Sequence, residues 1–167
     1  MNRDTARVLK GDICYSKDKN SLAIVPDGYL VCEDGRSAGV FDRLPQNYQE
    51  IPLEDYSGKL VVPGLTDLHI HAPQYAFRGF KMDLELLEWL NTSAFPEEAR
   101  YADPEYARKA YSLFVDDLRK SPTTRACLFA TLHLPATEIL MDLLEESGLV
   151  TFVGKVSMDR NCPDYLR

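Results

Sequence analysis

The chain has 167 residues, 45% of them apolar and 27% charged, a balance that supports a folded core and excludes a fibrous or disordered chain. Its net charge of −7 argues against a nucleic-acid binder, which needs a concentrated basic footprint, and against attachment to an anionic membrane surface. No apolar run approaches the eighteen or so residues of a membrane span.

The first part of the chain reads as short strands punctuated by turns. Residues 6–15 and 29–32 are β-like, and Pro26-Asp27-Gly28 and Glu33-Asp34-Gly35-Arg36 supply turn chemistry. Val40-Phe41 and residues 48–53 continue the pattern. This predicts a small all-β unit over residues 1–58 with no polar constellation of its own.

From Gly58 the rhythm changes. Residues 59–68 form a nearly continuous apolar run, broken only by Pro63-Gly64, which predicts a strand buried on both faces. Residues 84–90 have helical spacing. Asp103 is placed to cap a longer helix with Pro104 at its first position. Ala107, Ala110, Tyr111, Phe114 and Leu118 share one face of that helix. Residues 126–132 predict a second buried strand. Ile139, Leu140, Leu143 and Leu144 form the stripe of a helix that stops at Gly148, a natural left-handed cap. Residues 149–156 predict a third strand. The order βαβαβ implies parallel strands with right-handed crossovers, and a three-stranded parallel sheet would leave both edges unpaired.

His69-Ile70-His71 follows directly on the first of these strands. On a strand, residues i and i+2 point the same way, so both imidazoles can reach one ion; on a helix they would diverge. Neutral imidazoles are good zinc ligands. Asp67 has the same parity and suits a carboxylate behind a metal histidine, orienting it. The same three residues also fit a plainer reading, with one histidine buried and hydrogen-bonded and the other solvated. Their position at the C-terminal end of a strand in a β/α series is where barrel enzymes keep their sites.

Pro63-Gly64-Leu65-Thr66-Asp67-Leu68-His69-Ile70-His71 resembles the first-strand signature of the amidohydrolase superfamily. Ala72-Pro73-Gln74-Tyr75, Leu86-Leu87-Glu88-Trp89-Leu90, Phe95-Pro96-Glu97-Glu98-Ala99-Arg100-Tyr101 and Ala126-Cys127-Leu128-Phe129-Ala130-Thr131 resemble its guanine deaminase branch. So do Met141-Asp142-Leu143-Leu144-Glu145-Glu146-Ser147-Gly148, Val153-Gly154-Lys155-Val156 and Met158-Asp159-Arg160-Asn161. The resemblance implies an α/β fold. A small β-sandwich-like unit over residues 1–58 would precede, over residues 59–167, the first three β/α units of a TIM-type (β/α)8 barrel.

It also implies one zinc ion, held by the H-x-H pair, two histidines on later strands and a late aspartate. A glutamate three residues after the first later histidine would shuttle protons. His69 and His71 match the first two ligands, and Gln74 matches a residue whose amide contacts the purine edge. The remaining histidine, His133, is followed at that spacing by Ala136, so no catalytic acid or base is identified in this chain. His133 at its strand end is either pocket-facing or a structural hydrogen-bonding residue. Trp89 reads as core, Lys155 as structural or exposed at the rim, and Glu97-Glu98 as a solvated helix start favoured by the dipole. Ser121-Pro122 departs from the Asn-Gly usual in the family, so the loop there should differ locally.

The implied activity is zinc-dependent hydrolytic deamination of guanine to xanthine and ammonia by a longer enzyme. Its partner is a small purine substrate rather than nucleic acid or membrane, and a homodimer is expected. Other readings are a relative acting on cytosine, a triazine or a cyclic amide, and a non-catalytic fragment. The mixed-charge start Met1-Asn2-Arg3-Asp4 lacks a signal-peptide pattern, and Cys14, Cys32, Cys127 and Cys162 form no Cys-x-x-Cys pair. A cytoplasmic location is therefore expected.

Overall fold

The computed structural model describes residues 6–167, so the reading of Met1 to Asp4 lies outside the described residues. The chain divides into two units, one ending at Pro63 and the other spanning Gly64–Arg167. In the first, β1 (Arg7–Asp18), β2 (Ser21–Glu33), β3 (Arg36–Phe41) and β4 (Leu53–Val61) form one sheet in the order β3-β2-β1-β4. The two hairpin pairs are antiparallel and β4 runs parallel to β1. All four strands belong to one sheet, so the described residues of this unit form a single sheet and not the two facing sheets of a sandwich.

Local chemistry accounts for its turns. The Asp18 carboxylate accepts the Asn20 N–H at 2.8 Å and the Ser21 hydroxyl at 2.7 Å, closing the first hairpin. Asp34 and Gly35 both take positive φ, 49° and 72°, as a two-residue hairpin turn requires. Pro26-Asp27-Gly28, expected as a turn, instead lies inside β2 as a bulge. Between the pairs Gly11–Gly28 and Ile13–Val25, β2 carries one residue more than β1. Asp12 Oδ1 accepts the freed Asp27 N–H at 2.9 Å. Val8 and Val31 are fully buried against Tyr48 and Ile51.

The apolar run over residues 59–68 serves two sheets. Its first residues complete β4, and β5 (Leu65–His71) begins after Pro63-Gly64. The break belongs there for two reasons. Pro63 has no N–H to give a ladder, and a Cβ on Gly64 would collide with the Thr124 side chain.

In the second unit β5, β6 (Thr123–Phe129) and β7 (Val150–Gly154) form a parallel sheet in that order. A 3-10 turn (Ala72–Phe77) follows β5. The chain then winds through α1 (Leu86–Trp89), one π turn (Leu90–Ala94) and α2 (Phe95–Arg100). α3 (Pro104–Lys120) is capped by Asp103, whose carboxylate accepts the Glu105 N–H at 2.9 Å. α4 (Leu134–Ser147) ends on Gly148 at φ +77°.

The core is the face of α3 and α4 turned to the sheet. Ala107, Tyr111, Phe114, Ile139, Leu140 and Leu144 pack with Ala126 and Leu128 of β6. Within this unit only that face of the sheet is covered. Leu68 and Phe152 stay 72% and 71% exposed, so the strands are not buried on both faces as their composition suggests. An apolar run records what a strand can bury, and the second face finds no cover within this unit. Glu97 and Glu98 correct the opposite expectation: both are buried. Glu97 accepts the Tyr106 hydroxyl and pairs with Arg100 at 3.0 Å, while Glu98 reaches the loop after β6.

Candidate metal centre

β5 carries a bulge immediately before its histidines. Asp67 is in register with Ala126 and Ile70 with Leu128, so β5 uses one residue more than β6 between these pairs. Ala126 and Leu128 face the helices, and in-register neighbours on parallel strands point the same way. Asp67 therefore occupies a helix-facing position, and the parity expected to unite it with the histidines is lost. Its carboxylate still meets the motif. Oδ1 accepts the backbone N–H of His69 at 3.0 Å, pinning the bulge.

Beyond the bulge His69 and His71 turn to the open face of the sheet, at the C-terminal end of β5. Their ring centroids lie 4.9 Å apart at an interplanar angle of 72°. That spacing lets one nitrogen of each approach a single ion at the zinc–nitrogen distance of about 2.0–2.1 Å. Partial burial, and then the neighbouring His69, hold the His71 imidazole below its ordinary pKa. The shift favours the neutral ring that ligates a metal. The pair fits two imidazole positions of a zinc site. Among the described residues no third histidine, cysteine or carboxylate joins them.

A third ring completes the local arrangement. Phe129, the last residue of β6 and the register partner of His71, stacks on it at 4.8 Å and 17°. It also meets His69 edge-on at 5.2 Å. Sequence reasoning missed this residue. The signal was present in β6, where Phe129 alternates with the helix-facing Ala126 and Leu128.

His71 and Gln74 line one cavity of about 360 Å³ together with Tyr75, Phe77, Arg78 and Trp89. Gln74 sits in the 3-10 turn. Tyr75 beside it donates its hydroxyl to Asp117 and lies under the Arg78 guanidinium, 3.8 Å from the ring centroid. Trp89 packs against Phe77 with ring centroids 5.6 Å apart, a wall position as much as a core one.

His133 lies at the start of α4. Its N–H donates to Thr131 Oγ1 at 3.3 Å and its carbonyl accepts the Thr137 hydroxyl at 3.1 Å. Its Nε2 is buried with no partner among the described residues. Lys155 is exposed and donates to the Val156 carbonyl at 2.9 Å. Ser121 caps α3, its hydroxyl donating to the Leu118 carbonyl, and the Pro122 carbonyl accepts the Leu65 N–H that starts β5.

Residues 60–166 match the Amidohydrolase family. The chain belongs to the amidohydrolase family. Among relatives, a guanine deaminase of Rattus norvegicus is 46% identical over 174 residues, covering 98% of this chain and 38% of the relative. A guanine deaminase of Escherichia coli (strain K12) is 39% identical over 151 residues, covering 88% of this chain and 34% of the relative. The crystal structure of guanine deaminase from C. acetobutylicum with bound guanine in the active site superposes with a TM-score of 0.90 at 45% identity. That superposition covers 96% of this chain and 38% of that one. This amidohydrolase chain thus spans between a third and two-fifths of the length of these relatives.

Proposed function

We propose that this chain forms the metal-binding first part of a zinc-dependent guanine deaminase, which hydrolyses guanine to xanthine and ammonia. The observation that carries the reading is the pairing of His69 and His71 on the open face at the C-terminal end of β5. The likeness to guanine deaminases supplies the substrate. In this reading β5, β6 and β7 are the first three strands of a (β/α)8 barrel. The remaining strands would bring the other metal ligands and the proton-shuttling glutamate. The protein would act as a cytoplasmic homodimer.

His69 and His71 would hold the zinc ion, which when bound supplies activated water for hydrolysis. Asp67 fixes the His69 backbone so that its ring is presented at the strand end. Gln74 offers a donor and an acceptor on one amide, the complement of a purine edge that carries both. The cavity it shares with His71 lies within the size range of small-molecule sites.

The test is a panel of guanine, cytosine and a triazine offered with zinc to the longer enzyme that contains this chain, with ammonia and xanthine measured. Turnover of guanine alone is the expected result, and turnover of a triazine without guanine overturns it. The absence of a third ligand beside the histidines among the described residues favours a second statement about these 167 residues alone: they take up zinc weakly and do not turn over guanine. Stoichiometric, tight zinc with xanthine formation by this chain would refute that.

A further inference from the structure

Two imidazoles can share an ion only when both rings are held at the right angle, and among the described residues neither histidine ring of β5 is held by a hydrogen bond. The contact that organises them comes from the next strand. Phe129 lies directly across from His71 in the β5–β6 register. Its ring is nearly parallel to His71, at 17° and 4.8 Å, and inclined at 64° to His69 at 5.2 Å. The two histidines are themselves inclined at 72°. The three rings form a closed triangle in which each touches the other two.

Phe129 has no place in the helix-facing core. Ala126 and Leu128 of the same strand are 3% exposed and belong to the core cluster, whereas Phe129 is 41% exposed on the opposite face. A large aromatic ring on the open face, its ring set against those of both histidines, is placed to hold their orientation. Parallel and edge-on aromatic contacts are also directional, unlike those of an aliphatic side chain.

We propose that Phe129 is the positioning residue of the His69–His71 pair, fixing both imidazoles so that they meet one divalent cation with little further ordering. The proposal rests on the metal reading given above and extends it to a residue that touches no ion. A side chain ordered in advance does not have to be immobilised when the ligand arrives, which is the general source of affinity from preorganisation.

The test uses zinc alone as the probe and the 167-residue chain. Phe129→Leu keeps an apolar side chain without a ring face, and Phe129→Tyr keeps the ring. Backbone amide spectra confirm that each variant retains the fold. In Phe129→Leu the ring protons of His71 should move downfield as the ring current of Phe129 is lost. Zinc affinity, followed at the same protons, should fall about three- to ten-fold, the consequence of ordering one freed side chain. Phe129→Tyr should stay within about two-fold of the parent by the same reasoning. Unchanged zinc affinity in Phe129→Leu, with the ring protons shifted, overturns the proposal. Ring protons that do not move in Phe129→Leu overturn it as well. A paired His69→Ala and His71→Ala variant separates the two ideas: if it binds zinc like the parent, the metal reading itself is wrong.

Discussion

Glu98 accepts the backbone N–H of Leu132 at 2.8 Å, joining α2 to the loop that follows β6. The same oxygen accepts the Thr131 hydroxyl at 2.5 Å, and Thr131 in turn accepts the His133 N–H. One buried carboxylate thus fixes three consecutive residues at the C-terminal end of the sheet, the end that carries the histidine pair.

Replacing Glu98 by alanine leaves one buried and one half-buried donor without an acceptor. Each such donor costs about 1–3 kcal/mol, so Glu98→Ala should destabilise the second unit by about 2–5 kcal/mol. Glu98→Gln retains a carbonyl acceptor and should lose only about 1 kcal/mol. Urea unfolding of the two variants against the parent checks the order, and equal losses would refute the acceptor role.

Tyr111 is fully buried in α3, and its hydroxyl has no partner among the described residues. Tyr111→Phe removes a desolvated polar group and keeps the ring. It should therefore be neutral or stabilising by up to about 1 kcal/mol, where most buried substitutions destabilise. A fall in the thermal midpoint would show that the hydroxyl has a partner in solution.

The cluster to which Tyr111 belongs also sets an alkaline limit. Burial, then the hydrogen bond to Glu97, push Tyr106 up to about 12, and burial holds Tyr101 and Tyr111 well above the ordinary phenol range. In the unfolded chain these phenols ionise near pH 10. Because the folded values are raised, their contribution to stability is complete below about pH 10. It is lost as pH climbs from there through the folded values. Urea midpoints should be flat up to about pH 10 and then fall, with the ring resonances of these three tyrosines showing ionisation only as the chain unfolds. Ionisation of Tyr101, Tyr106 or Tyr111 in the folded protein near pH 10, read from their own ring resonances, would contradict this.

Gly64 faces the Thr124 side chain so closely that a methyl group cannot be added without displacement. Gly64→Ala should cost about 1–3 kcal/mol by overpacking the start of β5. Thr124→Ala in the same chain should recover part of that loss, since its Cγ2 and Oγ1 are the nearest atoms while its Cβ remains 2.9 Å away. A double variant no more stable than Gly64→Ala alone would place the strain elsewhere.

The parts of this fold that follow from local chemistry were legible in the sequence. Asp34-Gly35 makes its hairpin turn, Asp103 caps α3 and Gly148 stops α4, because each depends on one residue and its immediate backbone. That His69 and His71 share a face was legible from the two-residue period of a strand, although the face they turn to is set by register with β6. Features set by a neighbouring strand or helix were not. Pro26-Asp27-Gly28 has turn composition, yet pairing with β1 keeps it inside a strand as a bulge. Glu97 and Glu98 look like solvent-facing helix residues until Tyr106, Thr131 and Leu132 supply donors from distant parts of the chain. Phe129 was overlooked because its meaning comes from its partner in the adjacent strand.

The bulge between Asp67 and Ile70 makes the histidine motif elastic on one side and rigid on the other. The facing of His69 and His71 is set by their own register with Leu128 and Phe129, not by a count from the start of the strand. Loss of Leu68 would regularise the ladder and leave both rings on the open face. Loss of Ile70 would put the two histidines on opposite faces and dissolve the pair. Length variation among relatives should therefore be tolerated just before the first histidine and forbidden between the two. A pattern used to find further members of the family should allow a gap at the first place and none at the second.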